Sequence, residues 1–532
     1  MRIPRRPQPA VSACQNLRQG FVLIVVLITI VLLTVSTYTF TLLMLHEQEA
    51  TQLMGRQIQS RYLVESGVDY LRLYLSTDDD TIRALGGIWD NQEQFQNKIV
   101  SINPLNPLEI GRFSIIASNL DTNTGIPDGF RAGIIDESSK LNLNTLTHAD
   151  TWFPDTGEGG GGRQLLMALP LMTEDIADAI LDWLDADSEP RTLGIEDYSG
   201  QSPPYGCKNG PMDSIEELLL VRGVTPQLLF GLDNNHNGIL DLDEQFAEGN
   251  AVTTEPDMQL GWANYLTLFS KESNLIPATG LQRVNINSSD LQQMSDDMGS
   301  TLNSTWANFI IAYRQNGPAP DDLEPLDGQP NFVEADTSIE GSFTFTSVLD
   351  LIDARTTLPY LDEEGEEQTA LLVSPITMSN LGTTLPLLMD NLTTIDGDNV
   401  PGRINIMQAP RAVLQGIPGM TEMVLERIIE ERQFELDGTA FSELFEYETW
   451  LLLRGIVDLE TMKAMMPFIC CGGDVYKAEI VGYFDDNVAT SRAEVILDTT
   501  VPLPRILFWR DKSHLQRGYT IDILGTDLNT DN

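Results

Sequence analysis

Hydrophobic and polar positions fall into three patterns along the chain. From Phe21 to Leu45 runs FVLIVVLITIVLLTVSTYTFTLLML, an apolar stretch without a charged residue. At about 1.5 Å per residue a helix of that length reaches about 37 Å, enough to cross a hydrocarbon core of about 30 Å. Helical spacing continues past the stretch through Met54, Ile58, Tyr62, Val68, Leu71 and Leu75, up to the breaker Asp78-Asp79-Asp80. The second pattern has period two. Phe113, Ile115 and Ala117 alternate with polar neighbours, as do Ala132 and Ile134; near the C-terminus Tyr476, Ala478, Ile480 and Phe484 share a face, and Ala493, Val495 and Leu497 lie opposite Arg492, Glu494 and Asp498. These segments, with PRILFWR as a last strand, predict a modest antiparallel sheet covered on one face by the long helix.

The third pattern fills the space between, where a short phrase recurs. Lys140-Leu-Asn-Leu-Asn144, Arg283-Val-Asn-Ile-Asn287 and Arg403-Ile-Asn-Ile406 are three copies of it. Amphipathic helices are predicted after each, over 169–187, in SDDMGSTLNSTWANFIIAYRQ and over 417–433. A further helix cued by Ser or Thr then follows in each copy, at 214–224, 346–356 and 441–456. The expected organisation is α+β: a leader over 1–20, a transmembrane helix over 21–45, its continuation over 46–80, sheet over 81–139, a mainly helical insertion over 140–469, and sheet again over 470–532.

Charge narrows the partners. The 532 residues carry 78 acidic and 32 basic side chains, a formal charge of −46. Such a body repels phosphate backbones, which argues against nucleic acid. The first 20 residues differ, with Arg2, Arg5, Arg6 and Arg18 and no acid, while Glu47 and Glu49 follow the apolar stretch. That asymmetry puts the N-terminus in the cytoplasm and the body across the membrane. Four cysteines are too few for a disulfide scaffold. Cys207 pairing with Cys470 or Cys471 and three free thiols are both compatible with the spacing.

Gly20 directly before Phe21, at the border of basic leader and apolar helix, resembles the prepilin leader of type IV pilins and type II secretion pseudopilins. The resemblance implies a prepilin peptidase that cuts after Gly20 and methylates Phe21. That family's usual glutamate at the fifth mature position falls here on Val25, a departure typical of the minor pseudopilin called protein K. Longer segments resemble the type II secretion system protein K family: IIDESSKLNLNTL (134–146), AILDWLDADSEPR (179–191), PPYGCKNGPMDSIEELLLVRGVTPQLLFG (203–231) and RINIMQAPRAVLQGIPGMTEMVLERIIEER (403–432). The resemblance implies a pilin-like sheet with a large inserted α-domain. It further implies a subunit that joins minor pseudopilins I and J, caps the pseudopilus tip and helps initiate its assembly. Ile417-Pro418-Gly419-Met420 also resembles the turn of a helix-hairpin-helix unit, but Glu422, Glu426, Glu430 and Glu431 surround it, which favours a structural role over DNA binding.

Residues 233–244 match the calcium loop D-x-[DN]-x-[DN]-G-x5-E at every specified position. The expected oxygen donors are the side chains of Asp233, Asn235 and Asn237, the Ile239 carbonyl, Asp241 directly or through water, and Glu244, with Gly238 at the sharp turn. A solvated Asn/Asp-rich turn is the plain alternative. Asp182, Asp185, Asp187, Glu189, Glu196 and Asp197 form a second acidic group, either a metal site or a solvated turn. His46, His148, His236 and His514 stand apart from any Ser/His/Asp arrangement, and GEGGGG (157–162) reads as a flexible loop without the Lys-Ser/Thr of a phosphate-binding one. The expectation is a pseudopilin and no enzyme. A calcium-binding surface or adhesion protein with a plain membrane anchor is the rival reading, and a hydrolase a distant third.

Overall fold

The computed structural model describes residues 16–102, 109–121, 127–153, 160–241, 244, 259–320, 323–324, 333–361, 365–436, 443–485, 489–515 and 517–525. Residues 1–15 of the expected leader lie outside the described residues. One helix, Asn16–Leu75, runs through the apolar stretch and beyond it. Its part from Phe21 is long and apolar enough to cross a membrane, and its apolar side chains from Phe21 to Leu45 are exposed.

The last turns of this helix pack on a sheet through Leu63, Val64, Val68, Leu71, Tyr74 and Leu75. This corrects the expected stripe in part: Met54, Ile58 and Tyr62 face solvent. Contact with the sheet begins at Arg56, whose guanidinium lies over the Phe484 ring, and Gln57, whose Nε2 donates to the Thr490 carbonyl at 3.0 Å; the Ser60 hydroxyl then lies 2.7 Å from that of Ser491. Helix and sheet approach closely there. A Cβ on Gly482 would stand 2.4 Å from the Ser60 carbonyl oxygen, and one on Gly67 would stand 2.7 Å from Ile480.

The sheet is antiparallel, with Lys98–Ser101, Gly111–Leu120, Val475–Phe484, Thr490–Asp498 and Arg505–Asp511 in that order. Pro127–Ala132 also pairs with Gly111–Leu120, and Ile135–Asp136 with Val475–Phe484. Ile115, Ile480 and Ala493 lie in register across the middle and, with Phe113, Ala478, Val495 and Leu497, bury their side chains against the helix. Sheet neighbours therefore come from opposite ends of the chain. The opposite face carries Glu479, Arg492 and Glu494, each less than a tenth exposed because the intervening region covers them.

That region folds around one continuous apolar core reaching from Leu141 to Ile469. Each copy of the repeated phrase forms a two-residue parallel pairing: Leu141–Asn142 with Leu266–Thr267, Val284–Asn285 with Leu392–Thr393, and Ile404–Asn405 with Ile469–Cys470. In each, the asparagine side chain accepts from the backbone N–H two residues on: Asn144 at 3.0 Å, Asn287 at 2.8 Å and Met407 at 2.9 Å. This local bond turns the chain out of the strand, so the phrase needs asparagine.

The helices that follow are shorter than the sequence predicts. Gly161–Met167 and Glu174–Leu184 flank a turn with Leu171 at φ 55°, and Arg411–Gln415 and Glu422–Leu436 flank one with Gly419 at φ 85°. The middle copy supplies Leu291–Thr301 and Ser304–Asn316. Gly161 and Gly162, read as part of a flexible loop, are instead buried in the first helix. The serine-cued segments begin as 3-10 turns, Ile215–Leu220, Val348–Leu351 and Glu443–Glu446; in the middle copy the strand Arg355–Leu361 follows, and in the third the short helix Trp450–Leu453. Carboxylates of Glu217 and Asp350 accept from the N–H of Ser214 and Ser347, which tightens the first turn and favours the shorter coil.

Candidate metal centres on the inserted region

The loop beginning at Asp233 wraps around its own side chains. Asp233 is 6% exposed, and its two carboxylate oxygens accept from Asn237 N at 3.1 Å and Gly238 N at 2.8 Å. Asn235 Oδ1 accepts from Asn237 N at 3.0 Å, and Asn237 Oδ1 from Ile239 N at 3.0 Å. Glu244 closes the ring from the far end: Oε1 accepts from Asn234 N and Asn235 N at 2.8 and 3.1 Å, Oε2 from Asp241 N at 3.1 Å. Asp241 Oδ2 takes the amide groups of Asn235 and Asn237 at 2.7 and 3.0 Å. Gly238 has φ 83° at the sharp turn.

The sequence-chosen side chains thus share one loop and offer hard oxygen donors of the kind calcium takes, although Asp233, Asp241 and Glu244 do not bring one carboxylate oxygen each within 4.8 Å of one another. Burial raises the Asp233 and Glu244 carboxyls above the usual carboxylate range, and the amides of Gly238 and Asn237 pull Asp233 part of the way back. Cost in the ionised form is what a bound cation would offset. His236, outside the donor set, stacks on Phe230 with ring centroids 4.6 Å apart.

The second acidic group is also brought together. Asp185, Asp187 and Glu196 each place a carboxylate oxygen within 4.8 Å of the others; among the described residues this is the grouping of three acids close enough to share an ion. Asp182, fully buried, lies beside them, its Oδ1 accepting from Arg191 N at 3.1 Å. Four buried oxygens here have no hydrogen-bond donor: Asp182 Oδ2, Asp185 Oδ1, Glu196 Oε1 and Asn209 Oδ1. Gly194 makes the room, since a Cβ there would stand 1.8 Å from Asp182 Oδ2. Burial pushes the Asp185 carboxyl up to about 6, with the charge of Asp187 adding to it, and burial likewise raises Asp182 and Glu196. Orphaned oxygens and raised carboxyls together fit a hard cation.

Glu189 and Asp197 are exposed and stand outside this cluster; each belongs to a local turn, with Asp187 capping Glu189 N and Asp197 capping Ser199 N. Sequence reasoning missed Asn209 and Gly194, because neither carries a charge and Asn209 lies beyond the acidic stretch 182–197. Cys207 donates to the Asp182 carbonyl at 3.5 Å, and burial raises its thiol to about 11. Cys207, Cys470 and Cys471 are all free thiols, which settles the pairing left open by their spacing.

Comparisons with known proteins give three similarities. Residues 139–233 match the family described as type II secretion system (T2SS), protein K, through its first domain. A type II secretion system protein K from Klebsiella pneumoniae is 32% identical over 114 residues, covering 21% of this chain and 33% of that protein. The match therefore spans about a third of the curated relative's length. A chain in the crystal structure of the GspK-GspI-GspJ complex from enterotoxigenic Escherichia coli aligns with 88% of this chain and 98% of its own, at 13% identity and a TM-score of 0.36. What is similar to the type II secretion system protein K family is thus the segment 139–233, which matches that family's first domain.

Proposed function

We propose that the protein is a minor pseudopilin of a type II secretion system. Its long helix anchors it in the inner membrane, with the body in the periplasm. It caps the tip of the pseudopilus and helps start assembly with I-type and J-type minor pseudopilins. The observation that carries the reading is the sheet formed from residues 98–136 and 475–511 and laid on the end of one long helix whose apolar half is exposed. A protruding apolar helix on a small sheet suits lateral assembly with similar subunits in and above a membrane. The bulk carried between the two halves of the sheet suits a terminal position.

Calcium serves this body as a structural ion. Asp233, Asn235, Asn237, the Ile239 carbonyl, Asp241 and Glu244 would hold one ion. Asp182, Asp185, Asp187 and Glu196, with Asn209, would hold hard cations beside them. An ion there supplies positive charge to carboxylates that burial otherwise penalises.

The rival reading, an anchored calcium-binding surface protein, differs at the N-terminus. A prepilin peptidase should cut between Gly20 and Phe21, so mass spectrometry of the membrane-extracted protein should return a peptide starting at N-methyl-Phe21. Recovery of a peptide spanning Arg18 to Val22 from cells with active peptidase would favour the plain anchor.

A further inference from the structure

The inserted region is joined to the sheet covalently at one end only. The chain leaves at Asp136 and returns at Val475, and Val475 lies opposite Asp498 in the sheet. Polar ties reinforce this end: Lys271 Nζ reaches Asp498 at 2.7 Å, and Asp136 accepts from Asn405 and Gly473 at 2.8 and 2.9 Å. Between sheet and insertion lies a cavity of about 150 Å³ whose walls include Lys477, Glu494, Phe269 and Phe508. Continuous apolar packing therefore does not hold the two together along their whole length.

The other end is held differently. Arg492 sits six residues before Asp498, about 20 Å along the strand. Its guanidinium is fully buried and donates through Nη1 to the Asn235 carbonyl at 2.8 Å and through Nη2 to the His236 carbonyl at 2.7 Å. Lys512 Nζ, 2% exposed in its side chain, donates to the same His236 carbonyl at 2.8 Å. Asn237 Nδ2 donates to the Gly518 carbonyl at 2.8 Å. Glu479 bonds both Arg492 and Lys512, and Glu494 bonds Lys512, so the two cations meet the loop with their charge largely matched.

The Arg492 and Lys512 contacts fall on the backbone between the side chains assigned to calcium, and Asn237 reaches Gly518 through its amide nitrogen, leaving its oxygen to the ion. The carbonyls of Asn235 and His236 are outside the donor set, which uses the side chains of Asn235 and Asn237 and the carbonyl of Ile239. An ion would therefore fix the loop from within while the sheet grips it from without, and neither would take the other's atoms. We propose that the loop is a calcium-tightened clasp fastening the free end of the inserted region to the sheet, with Arg492 and Lys512 as its positioning residues. The proposal rests on the calcium reading of the loop. Coupling between two such grips is reciprocal: whatever the sheet adds to calcium affinity, calcium adds to the grip of the sheet.

The test uses the full chain in detergent, stripped with chelator and titrated with calcium. Glu244→Gln defines which part of the uptake belongs to the loop. Arg492→Lys keeps the charge and loses the fork, and Lys512→Met removes the second donor; each should weaken loop binding by about fivefold or more. Hydrogen exchange of the unmutated protein supplies an arm that no folding defect can spoil. Calcium should slow exchange in Thr490–Asp498 and Arg505–Asp511, and should fail to do so in Glu244→Gln. Loop binding of undiminished affinity in both variants, or calcium uptake that leaves the sheet amides unchanged, overturns the clasp and leaves the calcium site standing. Uptake that Glu244→Gln does not reduce overturns the calcium site as well.

Discussion

Asp136 shows how much one side chain can do at the junction. It is 3% exposed, and its Oδ1 accepts from Ser138 N at 2.8 Å. Its Oδ2 accepts from Asn405, the asparagine of the third repeat, at 2.8 Å and from Gly473 N at 2.9 Å. One carboxylate thus ties the end of the sheet's first half to the insertion and to the start of its second half. Burial pushes its carboxyl up to about 6 against the pull of those three donors, with Asp474 adding to the rise. The sign follows from linkage. Between about pH 4 and 6 the folded chain holds a proton at this position that the unfolded chain has lost, so this group contributes more stability as the pH falls through 6. Urea melts at pH 7 and pH 5 should show the unmutated protein gaining on the order of 1 kcal/mol relative to Asp136→Asn. Only the difference between the two pH values matters, since the variant also turns an amide NH2 toward a backbone N–H donor, that of Ser138 or of Gly473. Equal pH dependence in both proteins would mean that Asp136 is ionised at no net cost.

At the scale of elements, the helix and sheet meet through absences of side chain. Gly482 lies in the middle strand, and a Cβ there would stand 2.4 Å from Ser60 O and 2.9 Å from Leu63 Cβ. Backbone cannot move aside as a flexible side-chain end can. Gly482→Ala should therefore push the helix off the strand and cost about 1–3 kcal/mol, read as a lower melting temperature of the full chain in detergent. Gly280→Ala would be a poor control because its φ is 67°, whereas Gly200 is open and unstrained and should tolerate alanine. An unchanged melting temperature in Gly482→Ala would show that helix and sheet do not pack at this distance. The strands themselves were legible from their period of two, because one face is apolar along its whole length. Which stretch of the helix would touch them was not: Met54, Ile58 and Tyr62 have helical spacing too but face solvent, and the approach is set by polar Gln57 and Ser60 together with Gly67 and Gly482. The repeated phrase was legible because its asparagine has one local task in all three copies. Its parallel partners were hidden, since Leu266–Thr267, Leu392–Thr393 and Ile469–Cys470 share no common phrase. The loop proposed for calcium could be picked out by spacing alone, its expected donors lying within twelve residues. The clasp residues Arg492 and Lys512 could not, being more than 250 residues away from it.

The whole molecule is a small sheet interrupted by a body larger than itself. Strands at 98–136 and 475–511 make the sheet, and the core of the insertion runs from Leu141 to Ile469. In a helical fibre every subunit is covered by later ones through the same surface, and a large body in the way of that surface stops heterologous continuation. The insertion lies on the sheet face opposite the helix, where Glu479, Arg492 and Glu494 are buried beneath it. The exposed helix remains available for contact, and under the proposed cleavage after Gly20 Val25 would fall where the resemblance to pseudopilins leads one to expect a glutamate for a neighbour's N-terminal amine. A terminal subunit has no neighbour above it and needs no such carboxylate. The expected behaviour is therefore assembly with other subunits through the helix and the sheet, without self-polymerisation. Overexpression of the chain alone, followed by electron microscopy, should show no filaments; co-expression with I-type and J-type minor pseudopilins should give small complexes of fixed stoichiometry. Long fibres made of this chain alone would refute the tip position, because they would require the insertion to leave the continuation surface clear.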